Sequence, residues 1–347
     1  MISTLLARKS IVIAIAAIFA APSSSIAQLP APTMVDTIAP ATVRESSYTI
    51  TSGMLSLPGT LAMPAASSGK VPVVLIVAGS GPTDRNGNSI APGYTGPLPH
   101  PNMYAQLAWR LAEQGIASVR YDKRSLGENQ QRINIAKTSF DDFVGDVTAG
   151  AKQLASDARF SRVVLLGHSE GAGLVLLAAN RGAPVSGVVM ASGAGRRFLS
   201  ILHDQLSRQL DPATLVTYDS AMAAYMRNET PTATLPPALM SLFQPENRLF
   251  VQGMQGYVPT DEIAKSKLPL LIVQGANDGQ VSLDDDARPL AAAQPAAKFV
   301  ILPTANHVLK PATTPILATQ LPSYMDPRTP IAPDVAPTIA GWIKGLK

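Results

Sequence analysis

The chain has 347 residues, 46% of them hydrophobic and only 15% charged, against about 25% charged in an average soluble domain, which excludes a disordered segment or polyelectrolyte. It contains no cysteine and four histidines, at 100, 168, 203 and 307, so disulfide frameworks, zinc fingers, iron–sulfur sites and thiol nucleophiles are excluded, and little remains for a metal site. The formal charge of +4 suggests an anionic partner only until the positions of the charges are considered.

The first ten residues hold Arg8 and Lys9 and no acid, residues 11–21 are uniformly apolar, and Ser25-Ile26-Ala27 puts small residues at the cleavage positions. That order predicts a secretory signal peptide over residues 1–27 and an exported protein, periplasmic or secreted. Eleven apolar residues rise only about 16 Å as a helix, short of the roughly 20 residues that a membrane span needs. No cysteine follows to receive a lipid anchor, and no stable membrane insertion is expected once the segment is removed. Without Arg8 and Lys9 the charge falls to about +2, so nothing points to nucleic acid as a partner.

Residues 28–46 include Pro30, Pro32 and Pro40 and read as an extended leader. From residue 47 onward, β-rich apolar runs alternate with segments of helical period, the pattern of a mostly parallel sheet covered by helices. Strands are expected at 73–77, 116–121, 163–166, 185–190, 270–273 and 299–302. A helix is expected over 102–114, and another from Ser139, where Ser-Phe-Asp-Asp resembles a capping box. About 75 residues separate the strand ending near 191 from the one beginning near 269, too many for one crossover. Residues 196–265 therefore read as a helical cap inserted into a core of 47–195 and 266–347. Its Met222, Met226, Leu239, Met240, Leu242 and Met254 suit either a small core or an acyl-binding wall. Residues 303–337 hold eight prolines and read as an ordered surface loop, followed by a closing helix near 333–346.

The chemistry centres on Gly167-His168-Ser169-Glu170-Gly171, set between an apolar strand and an apolar helix. Gly-x-Ser-x-Gly in that context is the signature of a nucleophile elbow, whose tight turn leaves no room for side chains two residues either side of the serine. A serine hydroxyl needs a base and an orienting acid, and both follow in order. Asp278 comes after the strand at 270–273 and His307 after the strand at 299–302, 29 residues apart. Asp284, Asp285 and Asp286 compete for the acid role but suit a helix N-terminus better. His168 reads as a packed structural residue; His100 and His203 have no strand end to fix them. The backbone N–H of Glu170 is one expected oxyanion donor, and the N–H of Ser80 or of Gly81 the other, in the loop Ala78-Gly79-Ser80-Gly81-Pro82. A dinucleotide-binding reading of that loop fails, because Pro82 and Asp84 stand where a glycine fingerprint needs other residues.

With this elbow and this Ser, Asp, His order, the chain resembles the α/β-hydrolase superfamily across residues 47–347. Gly-Ser-Gly-Pro-Thr-Asp-Arg-Asn-Gly from 79, Arg-Tyr-Asp-Lys-Arg at 120–124 and Ala-Asn-His at 305–307 are similar to a group of exported bacterial esterases related to serine aminopeptidase-like hydrolases. Many relatives continue the second motif with Gly-x-Gly, whereas Ser125 stands first here. The resemblance implies an eight-stranded fold, a cap over Ser169, and neither metal nor cofactor. It implies hydrolysis of a small-molecule carboxylic ester through an acyl-serine, with peptide or amide cleavage, or a noncatalytic binding protein, as the alternatives. The Glu170 carboxylate is expected to point away from the oxyanion site and to pair with Arg85 or Arg124.

Overall fold

Val73-Val74-Leu75-Ile76-Val77 is apolar at every position, so it cannot alternate between core and solvent and has to be covered on both faces. The computed structural model, which describes residues 37–90, 98–232 and 234–347, places this run at the centre of an eight-stranded sheet. The strands are β1 (Val43–Ser52), β2 (Leu55–Pro64), β3 (Val71–Val77), β4 (Ala117–Tyr121), β5 (Phe160–His168), β6 (Gly187–Ala191), β7 (Leu270–Gly275) and β8 (Lys298–Leu302). Their spatial order is β1-β2-β4-β3-β5-β6-β7-β8. The hairpin β1–β2 and the pair β2–β4 are antiparallel, and all other pairs are parallel.

The helices follow as α1 (Met103–Glu113), α2 (Phe140–Ser156), α3 (Glu170–Asn180), α4 (Phe198–Ser207), α5 (Pro212–Met226), α6 (Pro237–Met240), α7 (Arg248–Gly256), α8 (Pro259–Lys265), α9 (Arg288–Ala293), α10 (Leu317–Met325) and α11 (Val335–Lys344). The two-residue period of the strands divides the core. Leu75, Val77, Leu165, Met190 and Ile272 face Phe143 and Val147 of α2 and Leu174 of α3. Val74, Ile76, Leu166, Val189 and Val273 face Leu107 and Leu111 of α1 and Ile339 and Ile343 of α11. Helix α2 begins with the expected box: Ser139 accepts from the Asp142 N–H, and the Asp142 carboxylate accepts from the Ser139 N–H.

Two boundaries differ from the sequence reading, the start of the first strand and the proline-rich stretch. The residues expected to form the signal peptide lie outside the described residues, and β1 begins at Val43, inside the stretch read as leader. The proline-rich stretch 303–337 contains a helix, α10, with Pro322 inside it. Helices α4 to α8 occupy the span between β6 and β7, where the cap was expected. The sheet order matters most for function. Chain connections run in opposite directions from β3 and β5, so the loops beyond their carboxyl ends diverge and open a crevice there.

Candidate active site

The elbow stands at that crevice. Strand β5 ends at His168, and Ser169 caps α3 with φ 54 and ψ −121, a strained conformation that few non-glycine residues adopt. The two flanking glycines are obligatory for steric reasons. A Cβ on Gly167 would run into the Gly171 carbonyl, and one on Gly171 into the Val77 carbonyl of the neighbouring strand. The Ser169 N–H is tied to the Ala191 carbonyl at the end of β6 (2.9 Å), which holds the strained residue in register with the sheet.

Asp278 and His307 occupy the turns beyond β7 and β8 and are hydrogen-bonded, His307 Nδ1 to Asp278 Oδ2, at 2.9 Å. The acid is saturated. Its Oδ1 accepts from the N–H groups of Gln280 (2.8 Å) and Val281 (2.9 Å), and its Oδ2 also accepts from Gln274 Nε2 (3.1 Å). Burial alone would raise the Asp278 pKa, but the His307 charge, its hydrogen bond and the two backbone donors outweigh burial and hold the carboxyl below its usual value. The three rivals are engaged elsewhere: Asp284 with Arg288, Asp285 with Ser282, and the fully buried Asp286 with Arg196 and the N–H groups of Gly195 and Arg196 at the base of the cap. His203 pairs with Asp219 inside the cap, and His100 is exposed.

Ser169 stands beside this pair, joined to it through His168, whose Nε2 is 2.7 Å from the His307 carbonyl oxygen. Among the described residues Ser169 Oγ is not hydrogen-bonded to His307, a contact that commonly tightens only when substrate binds. The other nitrogen of His168 meets Tyr104 Oη at 2.9 Å, and that oxygen accepts the Gly79 N–H, also at 2.9 Å. The acceptors at the ends fix the direction of the relay. Nε2–H donates to the carbonyl, Nδ1 accepts the Tyr104 hydroxyl, and His168 is a neutral imidazole. Burial, reinforced by the His307 charge, depresses its pKa to about 3. His168 thus ties the β3 loop, the elbow and the His307 loop together.

The backbone N–H groups of Ser80, Gly81 and Glu170 donate to no described residue. Those of Ser80 and Glu170 belong to residues beside the serine: a Cβ built on Gly79 would stand 3.1 Å from Ser169 Cβ, and Ser80, Ser169 and Glu170 line the same cavity of about 90 Å³. The rest of that wall is mainly apolar and comes largely from the cap, through Phe198, Ile201, Leu202, Met254 and Tyr257. Of the cap's methionines and leucines singled out above, Met254 lines this cavity, whereas Met222, Leu239 and Leu242 are buried in the core.

The expectation for the Glu170 side chain is corrected. It lines the cavity, and its partner is Lys123, Nζ to Oε1 at 3.1 Å, with both side chains buried. Arg85 is taken by Asp122 (Nε to Oδ1, 3.0 Å), and Arg124 by Asp146 and Asp142. Lys123 lies two residues beyond the end of β4 and so stands at the carboxyl end of the sheet with the elbow, while each arginine is held by its own acid. The sequence reading passed over Lys123, Tyr104 and Gln274. Two cues pointed to Lys123, its position just beyond an expected strand and its place in the Arg-Tyr-Asp-Lys-Arg motif, but neither named its partner.

The model of the family described as serine aminopeptidase, S33, matches residues 94–310, more than half of the chain. Esterase EstD of Thermotoga maritima is 26% identical over 278 residues, covering 79% of this chain; the chain spans 62% of that relative's length. Among solved structures, proline iminopeptidase from Mycobacterium smegmatis matches with a TM-score of 0.51 at 18% identity, over 86% of this chain and 98% of its own. Hypothetical protein PA2218 from Pseudomonas aeruginosa matches with a TM-score of 0.54 at 16% identity, over 89% and 96%. At such identities the two structures speak for the fold alone. The chain belongs to the serine aminopeptidase, S33, family and is an α/β hydrolase.

Proposed function

We propose that this hydrolase is an exported serine esterase that cleaves carboxylic esters of short acyl chains through an acyl-Ser169 intermediate. The observation that carries the reading is the buried Asp278–His307 pair beside a serine held at positive φ among free backbone N–H groups. His307, oriented through Nδ1, takes the Ser169 proton on Nε2 as Oγ attacks the ester carbonyl. The oxyanion receives the N–H groups of Glu170 and Ser80. Collapse breaks the ester C–O bond, and His307 returns its proton to the departing alkoxide. Water then attacks the acyl-serine with His307 again as base, releasing the carboxylic acid and restoring Ser169.

Esters are favoured over peptides by the charge of the cavity. An aminopeptidase substrate brings an ammonium group, but the one carboxylate among the described lining residues, Glu170, is already neutralised by Lys123, and Arg196 lines the same wall. The small apolar cavity and the esterase name of the relative at 26% identity support the same choice. Export rests on the charge and apolar pattern of residues 1–27. The test is to treat the purified chain with a fluorophosphonate and locate the label by mass spectrometry, with Ser169→Ala as control. Labelling at Ser169 that abolishes p-nitrophenyl butyrate hydrolysis is the expected result. A folded chain that neither labels nor turns over the ester is a binding protein instead.

A further inference from the structure

Lys123 is a buried cation to which the acyl-serine cycle gives no task. Its side chain is 6% exposed and that of its partner Glu170 5%. Burying a charged pair is expensive, and an apolar residue of similar volume would usually fill such a space at no loss of stability. The contacts of Lys123 suggest what the charge does. Nζ donates to the carbonyl oxygen of Gly79, lies 3.5 Å from that of Gly81, and reaches Glu170 Oε1 on the first residue of α3.

The Gly79 carbonyl belongs to the same planar peptide unit as the Ser80 N–H. In a trans peptide the two point in opposite directions, so an ammonium fixed on the oxygen turns the Ser80 N–H away from Lys123. A charged donor on the oxygen also polarises the amide and strengthens its N–H as a hydrogen-bond donor. The preceding peptide unit is pinned as well, since Gly79 N–H is bonded to Tyr104 Oη. That bond occupies the Gly79 donor and leaves the Ser80 N–H free. Through Glu170 the same ammonium grips the helix start that supplies the second expected donor.

The geometry points to Lys123 as a positioning residue of the oxyanion site, holding and polarising the Gly79–Ser80 peptide while its pairing with Glu170 locks the β3 loop to the elbow. The inference rests on the serine-esterase reading above. It is tested with Lys123→Gln and with Lys123→Gln/Glu170→Gln, which removes both charges and so leaves no unpaired ion buried.

For p-nitrophenyl acetate, kcat should fall by roughly tenfold or more with KM within about threefold of the unaltered chain, a fraction of what losing a whole oxyanion donor costs. Affinity for a trifluoromethyl ketone, which mimics the tetrahedral intermediate, should fall in step with kcat/KM. Lys123→Arg, which keeps the charge, should recover part of both. A purely structural lysine would lower the melting temperature and leave kcat and ketone affinity untouched. If either variant keeps the original circular dichroism and stays within about twofold in both quantities, the inference is overturned. Failure of the unaltered chain to hydrolyse the ester or to label at Ser169 would sink the esterase reading instead.

Discussion

His168 at the end of β5 and His307 beyond β8 have ring centroids 4.8 Å apart, and both are buried. Their nitrogens are spent differently. His168 receives the Tyr104 hydroxyl on Nδ1 and donates Nε2–H to a backbone carbonyl, so no lone pair is left for chemistry. His307 gives Nδ1–H to Asp278, and its Nε2 is bonded to no other described residue. The histidine adjacent to the serine in sequence is therefore a structural tie, while the one 139 positions further on carries the usable lone pair. What assigns a base is the partner on its second nitrogen, not nearness along the chain.

The sharpest way to break this comparison is to delete each ring. His307→Ala should reduce ester kcat by roughly 10⁶-fold, as loss of the base does in serine hydrolases, with little change in melting temperature. Retention of activity by a folded His307→Ala chain would move the base elsewhere. Asp278→Asn keeps the volume but removes the carboxylate that orders Nδ1–H, and kcat should drop about 10⁴-fold.

His168→Leu acts mainly on stability. It leaves the Tyr104 O–H without its acceptor and the His307 carbonyl without its donor in the interior, a cost of roughly 3 kcal/mol by chemical denaturation. Its pH signature is specific. Because the folded pKa lies near 3 and the ordinary value is 6.5, the unfolded chain binds the extra proton first as pH falls. The stabilising contribution of His168 is thus complete above pH 6.5 and is lost as pH drops towards 3. The depressed pKa of Asp278 acts in the same direction, but only below its ordinary value of 3.8. Between pH 6.5 and 4 the unaltered chain should lose roughly 3 kcal/mol more than His168→Leu, and parallel stability curves would contradict a neutral buried His168.

The smallest effect is expected from Tyr104→Phe. It removes one hydroxyl from the relay and should cost about 1 kcal/mol. Because the Gly79 N–H is then freed, kcat should fall modestly while KM stays constant; unchanged kcat would show that the relay does not support the oxyanion loop.

Ser169, Asp278 and His307 were legible because each follows an apolar run that reads as a strand, so their convergence at one sheet edge follows from a parallel topology. The supporting residues were hidden for the opposite reason. Tyr104 meets His168 across 64 positions and Lys123 meets Glu170 across 47, pairings that no local pattern encodes. Arg85 and Arg124 looked equally suitable for Glu170, and the satisfaction of each by its own acid is a fact of packing. Helix α10 escaped because Pro322 and the prolines on either side of the helix suggest a loop, while buried Gln320, Ser323 and Tyr324 tie it to the core through contacts such as Gln280 Nε2 to Tyr324 Oη. Asp286 stands in a first helical turn, as expected, but its burial and its pairing with Arg196 of the cap, 90 residues earlier, have no local signature.

The central claim, an ester-derived acyl group on Ser169, is tested most directly by quenching the chain with acid during turnover of p-nitrophenyl butyrate and measuring intact and peptide masses. The account predicts one added butyryl group, carried by the peptide containing Ser169 and absent from Ser169→Ala. Turnover with no acyl adduct in the quenched protein, or an adduct on another residue, would contradict it.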